Sequence, residues 1–545
     1  MTAGRSSGMQ TLLLGLDGAC LPVLDPLADD GVVPTLASLW GRGYAGGLTS
    51  QLPPWTPSAW PSLYTGVNPG KHGVYGFLTF DGYDWTVVDR SDVDEFALWE
   101  LLDQEGRDSV VVNVPVTHPA RPIDGAVVPG YIAPEDPTCV PENALVQADA
   151  EDYEIYPPKA SEASRDEQVA AFERLARSRG RVFENLVAEH DPDFGFLQFQ
   201  TTDTVFHERP GDWPAVERVY SAVDDAVRRV LETCEPRNVF VVSDHGMGEY
   251  AGYEFRVNDF LRERGDVTAT AGGEGMPSWD AIARNQLRNG EAPDERDRGP
   301  LERAVSAAAR VGLTSQRVQR VLEPLGLADA VTAIAPTDAI RAGTERVDFP
   351  ASTAYMRDRI ELGVRINLAG REPEGVVDPD DYDRVRSELI EALSAVETPQ
   401  GRPVFQAVRP REDVYEGPHL EDAPDIVLVP AGFEHFLAGT LRGEQFDTPR
   451  EPWNHKRTGL LIAAGEDVTP AAMETADRPH IFDVAPTVLS TLGVPPSERM
   501  DGRTLPLVDR LDSQTYPDFN AREIKQRDSD TVEQHLANLG YLEDV

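Results

Sequence analysis

Three short apolar runs in this chain each end in acidic or imidazole side chains. Thr11-Leu12-Leu13-Leu14-Gly15-Leu16 is followed by Asp17-Gly18. Phe194-Gly195-Phe196-Leu197-Gln198-Phe199 is followed by Asp203 and His207. Val239-Phe240-Val241-Val242-Ser243 is followed directly by Asp244 and His245. The runs have strand length and are apolar at successive positions, which suits strands buried on both faces. Runs at 109–114 and 426–429 add two further strands. Helical periodicity appears at 168–190, 215–233 and 381–396. Strands separated by helices predict an α/β fold with a parallel sheet covered on both faces. Pro- and Gly-rich chemistry predicts loops over 115–161 and 269–300.

In an open α/β sheet the ligand crevice lies beyond the carboxyl ends of the strands. The three runs therefore bring Asp17, Asp203, His207, Asp244 and His245 to one edge. Asp203 and His207 are four apart and share a face if that segment is helical. His455, just before the apolar run Leu460-Leu461-Ile462, is a further candidate. A buried unpaired carboxylate costs several kcal/mol, and a divalent cation removes that cost with carboxylate oxygen and imidazole nitrogen as ligands. Six such residues suit two ions better than one.

The densest motif is the stretch from Pro54 to Gly73. Thr56-Pro57 reads as a helix cap followed by a proline in the first turn. A helix start leaves N–H groups free and favours anions. A hydroxyl there is a candidate nucleophile, or else an ordinary cap.

Taken together, Asp17, the Thr56 loop with Thr65-Gly66 and Pro69-Gly70-Lys71-His72-Gly73, Asp203 and His207, Ser243-Asp244-His245-Gly246, and His455 resemble the alkaline phosphatase superfamily. The nearest branch is the type I phosphodiesterase/nucleotide pyrophosphatase family. Segments 370–375 and 414–425 look like its archaeal members. The 481–487 segment with Met500-Asp501-Gly502-Arg503 is similar to the closing segment of sulfatases and their relatives. The resemblance implies a three-layer sandwich around a central, mostly parallel sheet. It implies hydrolysis of phosphoesters, most of all diesters, through a covalent phospho-threonine on Thr56. It implies two divalent ions, zinc or else manganese. Asp203, His207 and His455 would hold one; Asp17, Asp244 and His245 would hold the other, with Thr56 bridging to it. The stretch 74–78 lacks the asparagine that holds a phosphate oxygen in nucleotide pyrophosphatases, which argues against a nucleotide substrate. Lys71 or His72 either replaces that contact to substrate or orders the turn. Thr56-Pro57-Ser58-Ala59 does not fit the sulfatase nucleophile motif. The alternatives are a phosphonate hydrolase or phosphosugar mutase of the same superfamily and, from another class, a metal-stabilised binding protein without turnover.

Composition narrows the setting. The formal charge is −43, from 93 acidic and 50 basic residues, and only four of the basic residues are lysine. Such a surface resembles a protein of a high-salt cytoplasm and is unsuited to a nucleic-acid backbone; the partner expected is a small phosphoester. Three cysteines without CxxC spacing point to a reducing compartment. No apolar run suits a signal peptide or membrane span, so a cytoplasmic location is expected. The pattern divides into a catalytic core at 9–258 and 346–510, a helical insertion or cap at 259–345 with periodicity at 301–325, and a charged tail at 511–545 ending in an amphipathic segment at 531–542. The oligomeric state is left open.

Overall fold

The computed structural model describes residues 8–158, 163–271 and 345–519. Most of the expected insertion, with its 301–325 periodicity, and the 531–542 segment lie outside the described residues.

A seven-stranded sheet forms the centre, in the order Tyr44–Thr49, Thr458–Gly465, Asn238–Val242, Thr11–Leu16, Phe194–Phe199, Ser109–Val112, Gly125–Val128. Every strand runs parallel except Thr458–Gly465. Successive side chains go to opposite faces, so each apolar run feeds two cores. Leu13, Val111, Phe196, Phe240 and Leu461 face one core, shared with Trp60, Leu63 and Tyr64 of helix Thr56–Thr65. Leu12, Leu14, Val110, Leu197, Val241 and Ile462 face the other, shared with Phe172 and Phe183 of helix Arg165–His190 and Val219 and Val223 of helix Trp213–Cys234. This is a three-layer α/β sandwich. The first long helix starts at a capping box, Ser164 with Glu167, and the second at Asp212, which accepts from Ala215 N–H.

A second, four-stranded sheet joins Ala354–Tyr355, Gly363–Ile366, Ile426–Pro430 and Phe405–Pro410, all antiparallel, against helix Tyr382–Ser394. The apolar run at 426–429 thus belongs to this sheet, not to the parallel one. An all-apolar strand reports burial on both faces but not the direction of its partners. The stretch 115–161 is not all loop either. It contains the edge strand Gly125–Val128 and the short helix Ala144–Gln147, each only four residues long and set among prolines. Strand Tyr44–Thr49 carries Gly46 and Gly47, so its own propensity is low and pairing with Thr458–Gly465 creates it.

Candidate active site

The carboxyl edge of the central sheet gathers the polar residues that end its strands. Asp17 follows Thr11–Leu16, and Asp244 and His245 follow Asn238–Val242. Asp203 and His207 lie on helix Thr201–Glu208, one turn apart, with Asp203 Oδ1 3.3 Å from His207 Nε2. His455 arrives differently. Because Thr458–Gly465 runs antiparallel, its beginning lies at this same edge. The preceding strand Trp453–Lys456 pairs with Gly246–Glu249, placing His455 opposite Met247. The His245 and His455 rings stack 3.6 Å apart.

Asp17, Asp244 and His245 offer ligand atoms that all lie within 4.8 Å of one another, and so do Asp203, His245 and His455. His207 Nε2 lies 3.0 Å from His455 Nε2. His245 therefore stands between the two groups. Its Nε2 is 3.2 Å from Asp244 Oδ2 and 3.5 Å from Asp17 Oδ1. Thr56 Oγ1 lies 3.5 Å from the same Nε2 and is buried.

Each part of the set is held from behind. Asp17 Oδ2 accepts from Trp60 Nε1 at 2.9 Å and from Gln198 Nε2 at 2.8 Å. Asp244 Oδ1 accepts from Gly18 N–H at 3.3 Å. Among the described residues the opposite oxygens, Asp17 Oδ1 and Asp244 Oδ2, have no hydrogen-bond partner, and neither has Asp203 Oδ1. His245 Nδ1 faces Gly246 O and His455 Nδ1 faces Pro54 O, each at 3.0 Å. A carbonyl accepts only, so each Nδ1 carries the proton and each Nε2 turns a lone pair inward. Three orphaned carboxylate oxygens and inward imidazole lone pairs fit divalent cations, with the outer hydrogen bonds fixing ligand orientation. The electrostatics agree. Burial, then repulsion from neighbouring carboxylates, holds Asp17 and Asp244 well above the ordinary carboxylate range. Burial alone would lower His207, but Asp203 outweighs it and lifts the imidazole to about 9, while His207 holds Asp203 down. The site is short of positive charge.

The Thr56 loop differs from the sequence expectation in one respect. The helix begins at Thr56 itself, with Trp55 as cap residue, and no side chain caps it. Pro57 has no N–H, and the Ser58 and Ala59 amides both bond to Trp55 O. The Thr56 hydroxyl is therefore turned to the His245 side instead of being spent on the backbone. Ser58 Oγ is fully engaged, donating to Val74 O and accepting from Gln51 Nε2, each at 2.7 Å.

Lys71 and His72 are taken up by the loop framework. His72 is fully buried; its Nδ1 accepts from Val74 N–H and its Nε2 lies 2.8 Å from Ser62 Oγ. Burial pulls it down to about 3. Lys71 pairs with Asp501 and donates to Arg499 O. These are the contacts of residues that order a turn. Sequence reasoning missed Trp60 and Gln198, the two donors to Asp17. For Gln198 a signal exists: it is the one polar residue in an otherwise apolar strand. Glu451 was also missed. It lies 3.8 Å from His207 Nδ1 and bonds to Arg359 at 2.9 Å.

The family model for type I phosphodiesterase / nucleotide pyrophosphatase matches residues 11–320. No curated protein matches the sequence. Among solved structures, phosphonoacetate hydrolase from Sinorhizobium meliloti 1021, in complex with phosphonoformate, is similar at 16% identity with TM-score 0.54, over 89% of this chain and 96% of that one. Murine ectonucleotide pyrophosphatase / phosphodiesterase 5 is similar at 13% identity with TM-score 0.47, over 92% of this chain and 100% of that one. The first likeness is one of fold. No helix among the described residues is long and apolar enough to cross a membrane.

Proposed function

The chain belongs to the type I phosphodiesterase / nucleotide pyrophosphatase family, hydrolases of phosphoesters within the alkaline phosphatase superfamily, and from that premise we propose that it hydrolyses phosphodiesters through a covalent intermediate on Thr56. The observation that carries this reading is the convergence of three orphaned carboxylate oxygens and three imidazole Nε2 atoms beside one buried, uncapping hydroxyl. We assign Asp203, His207 and His455 to one divalent ion, and Asp17, Asp244 and His245 to a second, zinc or else manganese. Bound there, the ions supply electrostatic stabilisation of the attacking and leaving oxygens.

In this reading Thr56 gives up its hydroxyl proton and its oxygen bonds to phosphorus. The bond to the leaving alcohol breaks, and that oxygen takes up a proton. The remaining ester stays on Thr56 until water adds to phosphorus and restores the hydroxyl. Trp60 and Gln198 keep Asp17 in place, and the Gly246 and Pro54 carbonyls keep His245 and His455 aimed inward. Burial of Thr56 limits water at the attacking oxygen.

Rapid quenching during turnover of bis-p-nitrophenyl phosphate, followed by peptide mass spectrometry, should place the phosphorus adduct on Thr56. Thr56→Ala should lower kcat by several orders of magnitude with metal content unchanged. An adduct on Ser58, or near-normal turnover by Thr56→Ala, would overturn the assignment. Faster turnover of phenyl phosphonate or of a monoester would overturn the diester preference.

A further inference from the structure

Strands Thr11–Leu16, Phe194–Phe199 and Ser109–Val112 are neighbours in the central sheet and end in a row of unlike residues. Gly15 pairs in register with Gln198, and Val112 with Leu197, which sets Asn113 beside Gln198. Gly15 is the narrow point of the row. A Cβ added there would stand 2.6 Å from the Trp60 ring and 3.0 Å from Gln198 Cγ, well inside van der Waals contact. The missing side chain lets Trp60 and Gln198 lie over this strand together and reach the same Asp17 oxygen.

Asn113 follows strand Ser109–Val112 with φ of 64°, a left-handed conformation that asparagine tolerates better than most residues. It is buried, as are Gln198 and Tyr153. Asn113 Nδ2 donates to the Gln198 backbone carbonyl at 3.1 Å and to Gln198 Oε1 at 2.7 Å. Asn113 Oδ1 accepts from the Tyr153 hydroxyl at 3.2 Å. The direction of this chain of bonds is settled at both ends. A backbone carbonyl only accepts, so the Asn113 atom that faces it is the amide nitrogen. The Gln198 atom that faces this nitrogen is then the amide oxygen. Gln198 Nε2 is left to donate to Asp17 Oδ2 at 2.8 Å and to Gln200 Oε1 at 3.1 Å. At the far end Trp60 Nε1, a donor only, shows that Asp17 Oδ2 is accepting. With Oδ2 held by two donors, Oδ1 is the oxygen presented to an ion.

We propose that Asn113 is a positioning residue for Asp17, acting through Gln198: it fixes the direction of the Gln198 amide so that Asp17 meets an N–H and not a carbonyl oxygen. The proposal rests on the assignment of Asp17, Asp244 and His245 to a divalent ion made above. Without Asn113 the Gln198 amide is free to turn over. A turned amide sets its Oε1 against Asp17 Oδ2, and the two acceptors repel. The ion assigned to Asp203, His207 and His455 does not depend on this chain of bonds.

Stripping zinc from the zinc-loaded, full-length protein with a chromogenic chelator reads both ion affinities, and Asp17→Ala identifies which of them belongs to Asp17. Gln198→Ala should weaken that ion roughly 10- to 100-fold. Asn113→Gly, which accepts the left-handed backbone, should weaken the same ion roughly tenfold and leave the other unchanged. In the Gln198→Ala background Asn113→Gly should add no more than about twofold, because its effect runs through the missing amide. An asparagine with a merely structural role would lower both affinities or neither, and its effect would persist in that background. Tyr153→Phe removes the hydroxyl that holds Asn113 Oδ1 and carries the test if Asn113→Gly does not fold. It should weaken the same ion by about two- to tenfold, again only while Gln198 is present. Wild-type affinity in the variant tested, or an undiminished loss in the Gln198→Ala background, overturns the proposal. Wild-type protein that takes up no zinc overturns the metal assignment and this proposal with it. Wild-type protein that binds two ions, both untouched by the variant, overturns this proposal alone.

Discussion

Thr56 and Ser58 lie two residues apart at the start of one helix, and their surroundings separate them. Among the described residues Thr56 Oγ1 has no partner nearer than His245 Nε2 at 3.5 Å, whereas Ser58 Oγ is saturated by Val74 O and Gln51 Nε2. Ser58→Ala should therefore act on stability, costing about 1–3 kcal/mol for two broken buried hydrogen bonds, with kcat lowered roughly tenfold or less, about 1.4 kcal/mol. Urea unfolding and steady-state kinetics on the same preparation check both parts. Trp60 gives the opposite signature. Its indole N–H holds Asp17 Oδ2 at 2.9 Å, and its ring packs in the core. Trp60→Phe keeps most of the ring and removes the donor, leaving Gln198 alone to orient Asp17. Metal affinity, read by competition with a chromogenic chelator, should fall roughly 10- to 100-fold. No change in affinity would show that Gln198 suffices.

At the scale of elements, the second sheet depends on one buried carboxylate. Asp425 accepts two bonds from Arg371, at 2.6 and 2.7 Å, one from Tyr382 and one from Ile366 N–H. Burial alone would raise it; Arg371, then Arg365, outweigh burial and hold it at about 2. An unfolded aspartate titrates near 3.9. The contribution, about 2–3 kcal/mol, is therefore complete above about pH 4 and is lost as pH falls toward about 2. Asp425→Asn should be less stable at neutral pH by about 2–3 kcal/mol, because Arg371 loses its bidentate carboxylate while keeping Glu372 at 2.9 Å. Its unfolding midpoint should also change less than wild type's between about pH 4 and pH 2; parallel curves would deny Asp425 this role. This network could not be read in the sequence, where Arg371 and Asp425 are 54 residues apart in polar segments. The central strands could, because burial on both faces writes itself as a continuous apolar run. Asp17, Asp244 and His245 were visible as the residues ending such runs, and His207 through its four-residue spacing from Asp203. Gln198 was visible only as the one polar residue of an apolar strand, and neither it nor Trp60 shows its partner until strand and helix pack. Strand Tyr44–Thr49 stayed hidden for the same reason, its glycines Gly46 and Gly47 paired antiparallel with Leu461 and Leu460, far along the chain.

For the whole molecule, the decisive quantity is the imbalance of charge. Pairing every one of the 50 basic residues with one acidic residue still leaves 43 carboxylates without a counter-charge. Surface ion pairs such as Arg384 with Glu388 and Arg228 with Glu232 offset part of the repulsion locally, but fully exposed pairs contribute little. The surplus repels over the Debye length, which falls from ~10 Å at about 0.1 M salt to ~3 Å at about 1 M. Unfolding moves like charges apart, so repulsion favours the unfolded chain and screening favours the folded one. Raising salt over that range should therefore raise the melting temperature steeply. Sodium chloride and potassium chloride should act alike, because screening depends on ionic strength and not on a specific site. A response to sulfate or phosphate alone would instead report anion exclusion or site binding. A protein whose Tm is flat from about 0.1 to 1 M of either chloride has its surplus carboxylates spaced too widely to repel, and the high-salt reading of its composition would then fail.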